Sequence, residues 1–211
     1  MSTLLPAALA AAPLAAGWSA HLMWMRRQLA AAHRDPLTGL WTREVFETRA
    51  RRLLRGEEAL VLLADVNDFK AVNDIHGHAA GDAVLAAIGG RLERICGTGV
   101  VGRLGGDEFA AVVPCRQEAE SALAAVRLAL CLPVEYEGRR LPVSVSLGAA
   151  PVPAGTDLPS ALRRADEAMY AAKRADGGWC VADETAPAAL ATVNGRRVGR
   201  PGTHHCGEGE R

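Results

Sequence analysis

The chain has 211 residues, 49% of them apolar, and 24 basic side chains balance 24 acidic ones. That length holds one domain of ordinary size plus terminal segments, with enough apolar surface to bury a core. Zero formal charge excludes a nucleic-acid binder that works through bulk charge, so an anionic ligand must be held by a local site.

Cys96, Cys115, Cys131, Cys180 and Cys206 are scattered, odd in number and lack a Cys-x-x-Cys pair. They support neither a disulfide framework nor a zinc site, and they read as free thiols in a reducing cytoplasm.

In chain order, Leu4 to Met25 contains no Asp, Glu, Lys or Arg. As a helix it is long enough to cross a bilayer. It is mostly Ala, broken by Pro6, Pro13 and Gly17. Two readings stand side by side. One is a membrane anchor, for which Arg26, Arg27 and Arg34 put the following domain on the cytoplasmic face. The other is an Ala-rich helix that packs against itself in a dimer. No basic segment precedes the apolar run, which argues against a secretory signal. The expected organisation is an N-terminal apolar segment over 1–32, one domain over 33–181, and a disordered tail over 182–211.

Asp35-Pro36-Leu37-Thr38-Gly39 is turn chemistry. A helix follows over 43–55. The run 59–64 is apolar, ends at Asp65 and reads as a buried strand. A short helix is expected over 69–75, broken at Gly77-His78. A longer one over 81–95 has Val84, Leu85, Ile88 and Leu92 on one face. Residues 99–104 and 108–113 form a hairpin around Gly105-Gly106-Asp107. A helix over 117–130 precedes a second hairpin, 134–136 with 141–147, around Glu137-Gly138. The last long helix spans 158–174 and stops at Gly177-Gly178. The fold class implied is α+β, with helices packed on a central, mainly antiparallel sheet.

Three sets of side chains carry chemistry. Asp65 ends a buried strand, where an uncompensated charge is costly. A divalent cation offsets that cost, although helix capping by Asp65 or Asp68 explains the position equally simply. Gly105-Gly106-Asp107-Glu108-Phe109 places two acids at a hairpin tip whose glycines admit close approach. If that hairpin lies beside the 59–64 strand, Asp107 faces Asp65, and the carboxylates hold a metal together with phosphate oxygens. Asn73 and Asp82 match the hydrogen-bonding edge of guanine, and Lys70 and Lys173 suit phosphate charge.

The joint spacing is more specific than any one set. The stretch 65–74 resembles the signature strand and helix of the GGDEF family, and 77–82 continues it in register. Arg103-Leu104-Gly105-Gly106-Asp107-Glu108-Phe109 is similar to the family's naming motif. Asp35-Pro36-Leu37-Thr38-Gly39-Leu40, Ser144 to Ala149 and Ala165 to Lys173 are similar to its start, last strand and last helix.

The resemblance implies a fold similar to nucleotide cyclases and polymerase palm domains. It implies a diguanylate cyclase, which joins two GTP molecules into cyclic di-GMP across a homodimer. It assigns the Mg²⁺ or Mn²⁺ site to Asp65, Val66 (through its carbonyl), Asp107 and Glu108. Asp107, Glu108 and Lys70 are the implied catalytic groups. The implied substrate contacts are Asn73, Asp82, Phe69, Lys70, Lys173, Gly105 and Gly106. A catalytically weak GTP-binding or partner-binding GGDEF module is the alternative.

Two departures stand out. Asn67 occupies a position where the family often has Asp, and Gly177 one where it usually has Arg. The second predicts weaker GTP affinity. Cys96 and Gly99 occupy the positions of the family's Arg-x-x-Asp product-inhibition motif, so inhibition through that site is expected to be absent.

Overall fold

The computed structural model describes residues 33–115, 118–175 and 177–182, together with Trp18 and His21. Most of the apolar segment 4–25 and the tail after 182 lie outside the described residues. Among the described residues no helix is long and apolar enough to cross a membrane.

The elements in order are β1 (Trp41–Thr42), α1 (Arg43–Leu54), β2 (Ala59–Val66), α2 (Phe69–His76), α3 (His78–Ile95), β3 (Val100–Gly105), β4 (Glu108–Pro114), α4 (Ala119–Leu130), β5 (Val134–Tyr136), β6 (Arg139–Leu141), β7 (Val145–Val152), α5 (Leu158–Arg174) and β8 (Gly178–Val181). Six strands form one mixed sheet in the order β1-β3-β4-β2-β7-β8. The inner pairings β3/β4, β4/β2 and β2/β7 are antiparallel, and the edge strands β1 and β8 pair in parallel. The expected α+β architecture is therefore present.

β2 is buried along its whole length. A strand covered on both faces needs apolar residues at successive positions, which is why Ala59–Ala64 shows no alternation. Its side chains divide strictly by parity. Leu60, Leu62, Ala64 and Val66 pack with Val84, Leu85, Ile88 and Leu92 of α3 and with Leu123, Val126 and Leu130 of α4. Ala59, Val61 and Leu63 pack with Phe46, Ala50 and Leu54 of α1 and with Ala161, Ala165 and Met169 of α5. The molecule thus has three layers, and Asp65 is directed by its parity to the α1/α5 side.

Three expectations need correction. The second hairpin is β5 with β6, a separate two-stranded sheet, and its second strand ends at Leu141. Its turn, Glu137 at φ 48° and Gly138 at φ 74°, has the two positive φ angles of a tight type I′ connection. Residues 145–152 form instead the main-sheet strand β7, beside β2. Gly177-Gly178 does more than stop a helix, because the chain re-enters the sheet as β8, with Ser146 opposite Gly178. Asp68 sits at the start of α2 in the left-handed region (φ 52°) without a capping bond from its side chain.

Candidate active site

Backbone register builds the site. β2 and β4 run antiparallel with Asp65 directly opposite Glu108, and on its other side Asp65 faces Ser146 of β7. Directly opposed residues share a face, so Asp65, Glu108 and Ser146 all point to the α1/α5 layer. Asp107 lies one residue further, in the turn, and its carbonyl accepts the Val66 N–H at 3.3 Å. The carboxylate directly across from Asp65 is thus Glu108, with Asp107 beside it at the tip. A cavity of about 240 Å³ opens next to Glu108, lined in part by Arg43, Arg163 and Asp166.

Asp65 and Ser146 are the two polar side chains buried among the described residues, Asp65 at 5% exposure. The Lys173 ammonium lies 2.5 Å from Asp65 Oδ1. The position of Lys173 follows from packing two residues beyond Ser146 along β7. Gly148 has no side chain, and an added Cβ would sit 2.1 Å from the Met169 nitrogen and 2.2 Å from the Ala165 oxygen. α5 therefore rests on the bare backbone of β7 at Gly148. One helical turn beyond Met169 is Lys173, and two residues before Gly148 is Ser146, steps of about 6 Å and 7 Å respectively. The matched steps bring the ammonium over the Asp65–Ser146 pair.

The hairpin tip is held from outside. Gly105 (φ 147°) and Gly106 (φ 53°) turn in a region that favours glycine. The Gly106 carbonyl accepts two bonds from the Arg103 guanidinium, at 2.9 and 2.7 Å. The same guanidinium contacts both Asp35 oxygens at 3.1 and 3.2 Å. Asp35 Oδ1 also accepts from the Thr38 N–H at 2.8 Å and the Thr38 hydroxyl at 2.7 Å. Burial pushes the Asp35 carboxyl upward, but the bonds from Thr38 and Arg103 outweigh it and hold the group below its ordinary value. The turn at the domain entry is thereby tied to the Gly-Gly tip.

A second group of expected residues gathers at α2 and α3. A Cβ on Gly81 would lie 2.0 Å from Asn73 Oδ1 and 3.2 Å from Phe69. Glycine at 81 thus lets the Asn73 amide and the Phe69 ring lie on the first turn of α3, immediately before Asp82. Lys70 and Asp82 are exposed on this end of the molecule. So Asp65, Val66, Gly105, Gly106, Asp107, Glu108 and Lys173 collect at one end of β2, and Phe69, Lys70, Asn73 and Asp82 on the helix pair that follows it.

Cys96 is buried, which pushes its thiol up to about 11. At Gly99 a Cβ would meet the Val112 carbonyl at 2.3 Å. The two positions thus present a shielded thiol and a backbone with no room for a side chain.

The site residues that sequence reasoning assigned no role are Asp35, Arg103 and Ser146. The Asp-x-x-Thr spacing at 35–38 was a readable signal for a side-chain-capped turn.

A mixed, antiparallel-centred sheet covered by helices, with acids at the facing ends of two inner strands, defines an α+β domain. The diguanylate cyclase GGDEF family model matches residues 32–178, and the chain belongs to that family. It is 49% identical over 164 residues to the uncharacterized 19.3 kDa protein of the repSA 5′ region of Streptomyces ambofaciens, covering 74% of this chain and 87% of that protein. It is 39% identical over 169 residues to the diguanylate cyclase TpbB of Pseudomonas aeruginosa, covering 74% of this chain but 39% of TpbB. The solved GGDEF domain of TpbB superposes with a TM-score of 0.66 at 37% identity, over 72% of this chain and 95% of that one. The coiled coil and GGDEF domain of DgcB from Caulobacter crescentus, solved with c-di-GMP, gives 0.70 at 28% identity, over 84% and 99%.

Proposed function

We propose that this chain is a diguanylate cyclase that condenses two GTP into cyclic di-GMP as a homodimer. The observation that carries the proposal is the register that sets Asp65 against Glu108 under the Lys173 ammonium. Family membership and the named cyclases among its relatives support it.

In this reading Asn73 and Asp82 read the guanine edge, and Lys70 and Lys173 neutralise the triphosphate. Asp65, Asp107, Glu108 and the Val66 carbonyl would hold Mg²⁺ or Mn²⁺. Their chemistry fits: they are hard oxygen donors. Among the described residues no three or more His, Cys, Asp or Glu side chains gather into a group that could hold a metal ion by themselves, so these acids offer a partial shell. A partial protein shell suits an ion that keeps water and phosphate oxygens as ligands. When bound, it offsets charge on the α-phosphate and the leaving pyrophosphate.

The ribose 3′-oxygen of one GTP attacks the α-phosphorus of the other. A bond from that oxygen to phosphorus forms as the bond to the β-phosphate bridging oxygen breaks. Glu108 takes the hydroxyl proton, and pyrophosphate leaves. The same step in the other direction closes the ring. Two loaded domains facing each other supply the orientation, which is a large part of the barrier in such transfers.

A weaker GTP-binding module is the second reading, and Gly177 favours it. With φ +94° and Asn67 3.2 Å from a would-be Cβ, that position supplies no phosphate-binding side chain.

The test incubates the full chain with GTP and Mg²⁺ or Mn²⁺ and resolves products by chromatography. Cyclic di-GMP that falls at least about 100-fold in Asp107→Ala and Asp65→Asn supports the cyclase. GTP binding with no product, even after forced dimerisation, selects the binding module.

A further inference from the structure

Asn67 and Gly177, far apart in the sequence, are brought together by the structure. An ideal Cβ at 177 would lie 3.2 Å from Asn67 Nδ2 and 4.0 Å from Ser146 Oγ. Gly177 lies three residues past the end of α5 and immediately before β8, with φ +94°.

Asn67 is the first residue past β2, and it makes three bonds to Ser144, just before β7, and Ser146, within it. Its N–H donates to the Ser144 carbonyl at 2.9 Å. Its Nδ2 donates to Ser144 Oγ at 3.0 Å. Its Oδ1 accepts from Ser146 Oγ at 2.8 Å. Ser146 is fully buried and stands opposite Asp65. By strand parity, Asn67 follows Asp65 on the same face. The next residue, Asp68, takes the left-handed conformation before α2 begins at Phe69. A non-glycine residue there carries strain that its surroundings must hold in place. The bonds that hold it come from the residue before it.

We propose that Asn67 is the positioning residue of the β2–α2 turn, and that Gly177 is its matched partner, leaving the space the amide needs. This rests on the cyclase reading in one respect: the turn carries the Val66 carbonyl and launches Phe69 and Lys70 toward the nucleotide. The amide makes these bonds without a charge. A carboxylate at 67 would stand two residues from Asp65 on one face, close enough for like charges to repel. The Asp65–Lys173 pair already engages the ammonium. The Asn–Gly combination is thus a neutral anchor for the turn, and it accounts for the two departures as one change.

Two readouts on the full chain test this. The first is amide hydrogen exchange across residues 66–71. The second is calorimetric affinity for guanosine α,β-methylene triphosphate with Mg²⁺, an analogue that cannot release pyrophosphate. Asn67→Ala should speed exchange at 68–71 while leaving β4 and α3 protected, and weaken the analogue about tenfold, the effect of one well-made buried bond. Ser146→Ala should act in the same direction. Asn67→Ala with Ser146→Ala should be no more than about twofold weaker than Asn67→Ala alone, because the two act as one unit.

Gly177→Ala should loosen the same amides in the native background and lose most of that effect once Asn67 is Ala. Unchanged exchange at 68–71 in a folded Asn67→Ala variant overturns the positioning role. So do multiplying losses in the Asn67–Ser146 pair. Equal effects of Gly177→Ala in both backgrounds overturn the matched pair. If the native chain itself fails to bind the analogue, the cyclase reading falls, and the exchange data decide the positioning of the turn without it.

Discussion

Replacing Gly148 by Ala adds one methyl group at the closest approach of α5 to the sheet. The new carbon would meet the Met169 nitrogen at 2.1 Å and the Ala165 oxygen at 2.2 Å. Ordinary heavy-atom contact is about 3.5 Å, so α5 must retreat by roughly 1 Å or more. The obstructing atoms are helix backbone and cannot turn aside as a side chain can. The cost therefore belongs at the upper end of the 1–3 kcal/mol typical of overpacking, about 3 kcal/mol. For a domain of this size that is a fall in Tm of roughly 6–12 °C. The same retreat lifts Lys173 from Asp65, so GTP affinity should fall beyond what the lost stability alone causes. Gly90→Ala is the control. That glycine lies in α3 with nothing within 4 Å of its would-be Cβ, and it has ordinary helical φ. Alanine there should raise stability by about 0.5–1 kcal/mol. Thermal unfolding by circular dichroism, beside calorimetric GTP binding, reads both. A Gly148→Ala protein that melts within about 1 °C of the native chain would refute the seating of α5 on bare backbone, and with it the account of how Lys173 is placed.

Three further outcomes are expected. Asp35→Asn should cost about 1–2 kcal/mol at neutral pH, since the Arg103 pair is lost. The folded-state pKa of Asp35 lies below 3.8. Its contribution is therefore present above that value and lost as pH falls through the folded-state pKa, so denaturant melts of the two proteins should converge at low pH. Arg91 donates to the carbonyls of Leu130, Leu132 and Pro133, at 3.2, 2.5 and 2.8 Å. Arg91→Met should lower unfolding free energy by about 1.5–3 kcal/mol in urea melts, because charged donors leave the end of α4 unsatisfied. The Asp157 carboxylate caps α5 through the Ser160 N–H at 3.1 Å, and hydrogen bonding from the Ser160 side chain, then from its N–H, holds the carboxyl below its ordinary value. Asp157→Ala should cost about 1 kcal/mol in the same assay above pH 5, and progressively less in acid.

Much of this site was legible because its parts are local. A buried run ending in Asp65, a Gly-Gly tip carrying two acids, and Asn and Asp flanking a helix break each fall within a few residues. Their meaning came from joint spacing. β8 was not legible: Gly177-Gly178 carries a strong stop signal, and the short stretch 178–181 pairs only because β7 offers an open edge. The extent of the second hairpin failed for a related reason. Residues 141 and 145 both look extended, and only tertiary pairing reveals that the chain changes sheets between them. Trp41 shows the same limit, since its ring is packed between Arg34 at 3.7 Å and Arg49 at 3.9 Å, one before the strand and one inside a helix.

The departures at 67 and 177 show what spacing alone misjudges. Taken as separate positions, each subtracts something, a charge at one and a phosphate contact at the other. In three dimensions they meet, because the chain passes Asn67 at Gly177 on its way from α5 into β8. A side chain at 177 would have to adopt positive φ and displace the amide that anchors the turn. Restoring arginine at 177 alone would therefore strain the backbone and crowd Asn67 before it could reach a phosphate. A gain in GTP affinity at this position would require both residues to change together, with a backbone that no longer needs φ +94°.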